Sequence, residues 1–105
     1  MRDWVGPVLQ PGPAAAAVIA AIRESSPETA VVDRGAYLRV LAPGRCRVAR
    51  ADIERHLGHG FRLPGDLEQV MSSFKGRITV SEDEVAWELG AATAVGGRAP
   101  GGPPR

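Results

Sequence analysis

From Val31 to Leu41 the chain changes between apolar and polar positions with a period of two. After Asp33-Arg34-Gly35, the residues Ala36, Leu38 and Val40 fall on one face and Tyr37 and Arg39 on the other, the spacing of a strand with one side on a core. Val31 and Val32 lead into the same Asp-x-Gly turn, so the segment reads as two strands joined by that turn. Its second face, an aromatic ring beside a guanidinium, is left for something other than the core.

The rest of the chain divides into further strands and two helices. Trp4 to Leu9 is strand-like but carries Pro7, which has no N–H for a ladder, so it is either an edge strand or an extended arm that docks elsewhere. Gly12 and Pro13 stand where an N-cap and a first helical position belong, Ala14 to Arg23 are strong helix formers, and Ser25-Ser26-Pro27 ends the run. Ala14, Ala17, Val18, Ala21 and Ile22 keep the three-to-four spacing of a buried helix face. Ala42-Pro43-Gly44 turns into a third short strand at Arg45 to Val48, which predicts a meander. Ala51 to Leu57 reads as a second helix, with Ile53 and Leu57 four apart and Gly58 as its stop. The loop after it holds Phe61 and Leu63 as buried candidates.

Strand pattern returns from Leu67 to Met71, with a kink or bulge at Ser72-Ser73, and continues from Phe74 to Val80. A turn at Ser81-Glu82-Asp83 leads to Glu84 to Leu89, where Val85, Trp87 and Leu89 alternate with polar neighbours and face the core. The expected fold is a compact β-rich α+β domain of six to seven strands and two helices. Its order is β-α-β-β followed by β-α-β-β-β, two units of structure packed side by side.

Composition narrows what such a domain can do. Residues 1–89 form the expected domain, while 90–105 are nearly all Gly, Ala, Pro, Val and Arg and lack periodic apolar positions, so a disordered tail is expected there. A core this small leaves little room for an enclosed active site. The 13 basic and 12 acidic side chains give a net charge of +1, and without Arg98 and Arg105 the remaining 11 cations face 12 acids. Arginines interleaved with acids do not make the basic face that nucleic acid requires. A single cysteine, Cys46, excludes an internal disulfide, and no apolar run reaches the length of a signal or a membrane span, so a cytoplasmic protein without a membrane partner is expected.

A catalytic kit is not found. His56 and His59 are three apart at a helix end, but zinc needs three or four ligands and Cys46 is the one other soft candidate; they read as surface or loop-capping histidines. Cys46 has arginines on both sides and no histidine nearby to act as a base, the pattern of an inert, partly buried thiol. Glu82, Asp83 and Glu84 crowd a turn, where acids are simply solvated and no calcium-loop register exists. The glycine pairs of the tail follow no strand and open no helix, and Ser72 and Ser73 lack nucleophile-elbow glycines. Neither cofactor nor metal ligands are assigned, and a binding or auxiliary role is left.

Taken in order, Val5-Gly6-Pro7, Asp33-Arg34 with Ala36-Tyr37 and Arg39, Leu57-Gly58 with Phe61, and Ser73-Phe74-Lys75-Gly76-Arg77-Ile78 followed by Asp83 and Trp87 resemble one family. It is that of the small effector, or regulatory, components of soluble bacterial multicomponent diiron monooxygenases, such as those of toluene 4-monooxygenase, phenol hydroxylase and soluble methane monooxygenase. The order and spacing together, over Trp4 to Leu89, carry the resemblance. It implies a cofactor-free, non-catalytic protein, a monomer when free, that binds a hydroxylase over its diiron centre and stimulates or couples hydroxylation or epoxidation. A toluene- or alkene-type hydroxylase is expected ahead of a methane-type one; the long N-terminal tail of the methane-oxidising branch is lacking, so any role assigned to that tail does not transfer. The residues it offers as partner interface are Trp4, Val5 and Pro7 in the first strand, Arg34, Tyr37 and Arg39 in the hairpin, and Ser72, Ser73, Phe74, Lys75 and Arg77 around the kink. Phe74 has a core reading beside this one, and the first strand is either arm or edge. The competing class is a stand-alone small-ligand-binding α+β module.

Overall fold

The computed structural model describes residues 3–89, so the expected tail lies outside the described residues. The element order is β1 (Trp4–Leu9), α1 (Pro13–Ser25), β2 (Ala30–Asp33), β3 (Leu38–Pro43), β4 (Arg45–Ala49), α2 (Arg50–Leu57), α3 (Gly65–Val70), β5 (Met71–Lys75), β6 (Arg77–Val80) and β7 (Glu84–Glu88). The α+β, β-rich architecture stands, with seven strands in two antiparallel sheets ordered β2-β3-β1-β5 and β4-β7-β6.

Helix α1 begins at Pro13 after Gly12 and buries Ala15, Ala17, Val18, Ala21 and Ile22, small side chains that let it pack on α2 and β4. Helix α2 stops where Gly58 donates its N–H to the Glu54 carbonyl. The core between sheets and helices is built around Trp87, Leu9, Ile22, Ile53, Leu67 and Val5, with Phe61 and Leu63 buried from the loop as expected. Burying side chains of this size contributes about 1.5–3 kcal/mol each and is the main term holding so small a fold.

Several local expectations are corrected. Strand β1 is neither edge nor arm: it lies between β3 and β5. Pro7 is tolerated there because the β1–β3 ladder pairs Trp4, Val5, Val8 and Leu9 and passes over Gly6 and Pro7. At Gly6 the backbone approaches the Val40 carbonyl so closely that any Cβ would collide with it.

The meander also fails, since β4 leaves the first sheet and pairs with β7. Gly44 turns the corner, Cys46 and Val48 face inward, and the outward Arg45 and Arg47 meet Glu88 and Glu84 of β7 at 3.0 and 2.8 Å. Gly76 makes the matching corner, separating β5 in the first sheet from β6 in the second. Thus Phe74 to Val80 is two strands, one in each sheet.

The segment expected as strand from Leu67 is helix α3, so there are three helices among the described residues. Leu67, Val70 and Met71 have helical spacing, and Asp66 and Glu68 sit in the first turn where they favour the helix N-terminus. Leu89, expected to face the core, is 47 % exposed because β7 ends at Glu88. The irregularity expected at Ser72-Ser73 is present: Val8 pairs with Ser73 and Leu9 with Met71, leaving Ser72 as the extra residue.

Candidate partner-binding groove

The hairpin forms as expected from its turn chemistry. The Gly35 N–H donates to Asp33 Oδ1 at 2.8 Å and the Arg34 N–H to the Tyr37 carbonyl at 2.9 Å, which brings Tyr37 to the start of β3. Val8 of β1 stands opposite Arg39 of β3 on one side and Ser73 of β5 on the other, so the three share one face of the sheet. Lys75 stands opposite Gly6 across the β1–β5 ladder.

The result is a surface groove of about 330 Å³ across β3, β1 and β5. It is lined by Pro7, Tyr37, Arg39, Ser72, Ser73, Phe74 and Lys75, which come from three separate segments singled out in the sequence. Tyr37 is 39 % exposed and Phe74 37 %, so Phe74 is not a core residue. Gly6, Val8, Val40 and Leu41 also line the groove and were missed. Their signal is positional: each is a strand neighbour of a residue already chosen, and nothing in their own chemistry marks them.

The other four sequence candidates are elsewhere. Val5 is fully buried in the core and offers no surface in this conformation. Trp4 is half-buried and pairs with Pro43. Arg34 is exposed in the β2–β3 turn, and Arg77 opens β6 in the second sheet beyond the Gly76 corner; neither lines the groove.

Several charged side chains away from the groove are paired with one another. Arg55 binds Glu24 at 2.7 Å and Asp52 at 2.9 Å, and His56 Nε2 lies 2.9 Å from Glu24. The Arg55 hydrogen bonds, then that of His56, hold the Glu24 carboxyl down to about 2. Glu54 ties α2 to the following loop by accepting from the Phe61 N–H at 2.8 Å and from Arg50 at 3.0 Å, and its carboxyl is lowered, chiefly by the Phe61 bond. His59 contacts the Gly60 carbonyl at 3.0 Å. The two histidines are thus engaged with a carboxylate and a carbonyl, and no cluster of three or more His, Cys, Asp or Glu among the described residues is arranged to hold a metal.

Cys46 is fully buried, and burial pushes its thiol up to about 12, the opposite of what a nucleophile needs. No helix among the described residues is long and apolar enough to cross a membrane.

The groove thus joins two exposed aromatic rings, Tyr37 and Phe74, to two cations, Arg39 and Lys75. Residues 3–88 match the model of the MmoB/DmpM family, and the chain belongs to that family. It is 45 % identical over 88 residues to the effector subunit of an alkene monooxygenase system from Xanthobacter autotrophicus (strain Py2), covering 82 % of this chain and 86 % of that one. Among solved structures, it is similar to a chain of a phenol hydroxylase–regulatory protein complex, with a TM-score of 0.72 and 21 % identity over 82 % of this chain and 98 % of the other. Regulatory protein B of soluble methane monooxygenase matches with a TM-score of 0.62 and 24 % identity, over 85 % of this chain and 67 % of that protein. The two structural likenesses speak for the shared fold, and the resemblance drawn from the order of motifs stands.

Proposed function

We propose that this chain is the cofactor-free effector subunit of a multicomponent monooxygenase of alkene- or toluene-oxidising type, active in the cytoplasm and monomeric when free. It binds the diiron hydroxylase component through the groove face and raises the rate or coupling of hydroxylation or epoxidation. The observation that carries this reading is the 45 % identity to an alkene monooxygenase effector subunit over most of both chains. The groove supports it independently, because Tyr37 and Arg39 are of the residue types that dominate binding energy at protein interfaces, and Phe74 adds a second exposed aromatic ring to the same surface. The stand-alone ligand-binding alternative has no comparable support.

Such a subunit transfers no atoms or electrons itself. It acts by binding one conformation of the hydroxylase better than another, and its influence equals that difference in binding free energy. The test is reconstitution: the purified chain is added to its cognate hydroxylase and reductase, and product formed per reductant consumed is followed. Stimulation that rises to about one effector per hydroxylase active site is expected. No change in rate, coupling or product distribution at any ratio would refute the reading.

A further inference from the structure

The groove has a composition that the rest of the described surface does not share. Of the three large apolar side chains exposed among the described residues, Tyr37 and Phe74 line it and Leu89 does not. Its charged lining residues are Arg39 and Lys75, and no Asp or Glu lines it. In a chain with 13 basic and 12 acidic side chains this is a segregation and not a reflection of composition.

Away from the groove, Arg45 pairs with Glu88, Arg47 with Glu84, Arg50 with Glu54, Arg55 with Glu24 and Arg62 with Asp66, while Arg23, Arg34 and Arg77 have no ion pair among the described residues. Arg39 has no ion-pair partner among the described residues. A surface that covers Arg39 strips its water, and that cost is recovered only if the surface brings an opposite charge to it. Two cations are too few for a phosphate backbone, whose binding scales with the number of phosphates neutralised. Ser72 and Ser73 beside them supply hydroxyls that both donate and accept.

We propose that the groove receives an acidic segment of the hydroxylase component. Asp or Glu carboxylates of that segment reach Arg39 and Lys75, and its apolar side chains lie on Tyr37 and Phe74. The inference rests on the effector reading and adds the chemistry of the partner surface to it.

Lys75 is the one lysine of the sequence, so apart from the terminal amine it is the sole amine in the chain. A water-soluble carbodiimide joins an amine directly to a carboxylate. Treating the full chain mixed with its cognate hydroxylase should therefore give a peptide pair linking Lys75 to an Asp or Glu of the hydroxylase, read by mass spectrometry.

In parallel, Arg39→Glu should weaken hydroxylase binding about tenfold or more, while Arg39→Lys stays within a few fold of the unmodified protein. Arg23→Glu makes the same change of net charge on α1, away from the groove lining, and should have little effect. Arg39 is exposed, so an unchanged melting temperature is expected for all three variants.

An unmodified protein that binds and stimulates the hydroxylase, yet gives no Lys75 cross-link and is indifferent to Arg39→Glu, would overturn the acidic-segment inference and leave the effector reading intact. Absence of any hydroxylase binding would overturn both. A dimer of this chain that Arg39→Glu abolishes would show that the groove serves a second copy, and would also overturn the inference.

Discussion

Gly44 and Gly76 turn the chain at the two corners where it passes from the first sheet to the second, both with positive φ, 74° and 103°. Alanine at either position carries the backbone cost of a conformation that side chains disfavour, about 1–2 kcal/mol. At Gly44 the added Cβ meets nothing within 4 Å. At Gly76 it would lie 2.6 Å from the Glu88 carbonyl oxygen and 2.8 Å from Val5 Cγ1. Neither neighbour can withdraw cheaply, because Glu88 is laddered to Arg77 across β6 and β7 and Val5 is fully buried.

Overpacking of this kind adds about 1–3 kcal/mol, so Gly44→Ala should cost about 1–2 kcal/mol and Gly76→Ala roughly 2–5 kcal/mol. In urea, with a denaturant slope of about 1 kcal/mol per M for a domain this small, the Gly76→Ala midpoint should fall about 1 M or more below that of Gly44→Ala. Equal midpoints for the two variants would refute the argument that the second corner is closed by main chain and the first is open.

Further measurements test other parts of the structure. The Glu24 carboxyl is held down from 4.5 to about 2, first by Arg55 and then by His56. Its folded value lies below the unfolded one, so its contribution is complete above about pH 4.5 and is lost as pH falls toward 2. The urea midpoint should drop less over that window in Glu24→Gln than in the unmodified protein; identical acid curves would remove the reasoning. Cys46, buried and with its thiol pushed up to about 12, should react with a thiol reagent at neutral pH only on unfolding, and prompt labelling of the native protein would contradict its placement. Trp87→Ala should cost about 3–5 kcal/mol in thermal or urea unfolding, since the ring is fully buried at the centre of the core, and a loss below 1 kcal/mol would disprove that role. The double variant Tyr37→Ala, Arg39→Ala should keep its stability within about 0.5 kcal/mol and lose hydroxylase affinity; unchanged affinity would leave the pair as stiffeners of the sheet.

Much of the fold was legible locally. The hairpin with its Asp-x-Gly turn, the start of α1 at Pro13, the Gly58 stop of α2 and the irregularity at Ser72 all depend on residues a few positions apart. What was misread depends on partners far along the chain. Pro7 looked like an edge marker because a proline weakens any ladder, but whether the ladder uses that residue is decided by β3, more than thirty residues away. The chain from Leu67 to Met71 looked like a strand from its apolar content, while its spacing and first-turn acids suit a helix that buries Leu67. Trp87 and Leu89 share a period of two, yet the strand that would bury the second ends one residue earlier.

The sequence by itself determined the β-rich α+β class of the fold, and which residue types stood on faces not needed for the core. Periodicity and turn chemistry suffice for that, because side-chain direction along a strand or helix is set by the backbone. Only the tertiary structure decided that Tyr37 and Arg39 lie across β1 from Ser72 to Lys75, that Val5 is core, and that Arg77 belongs to the other sheet. A strand's register and its choice of neighbour are properties of the whole packed chain. The groove exists only because three distant segments were brought side by side.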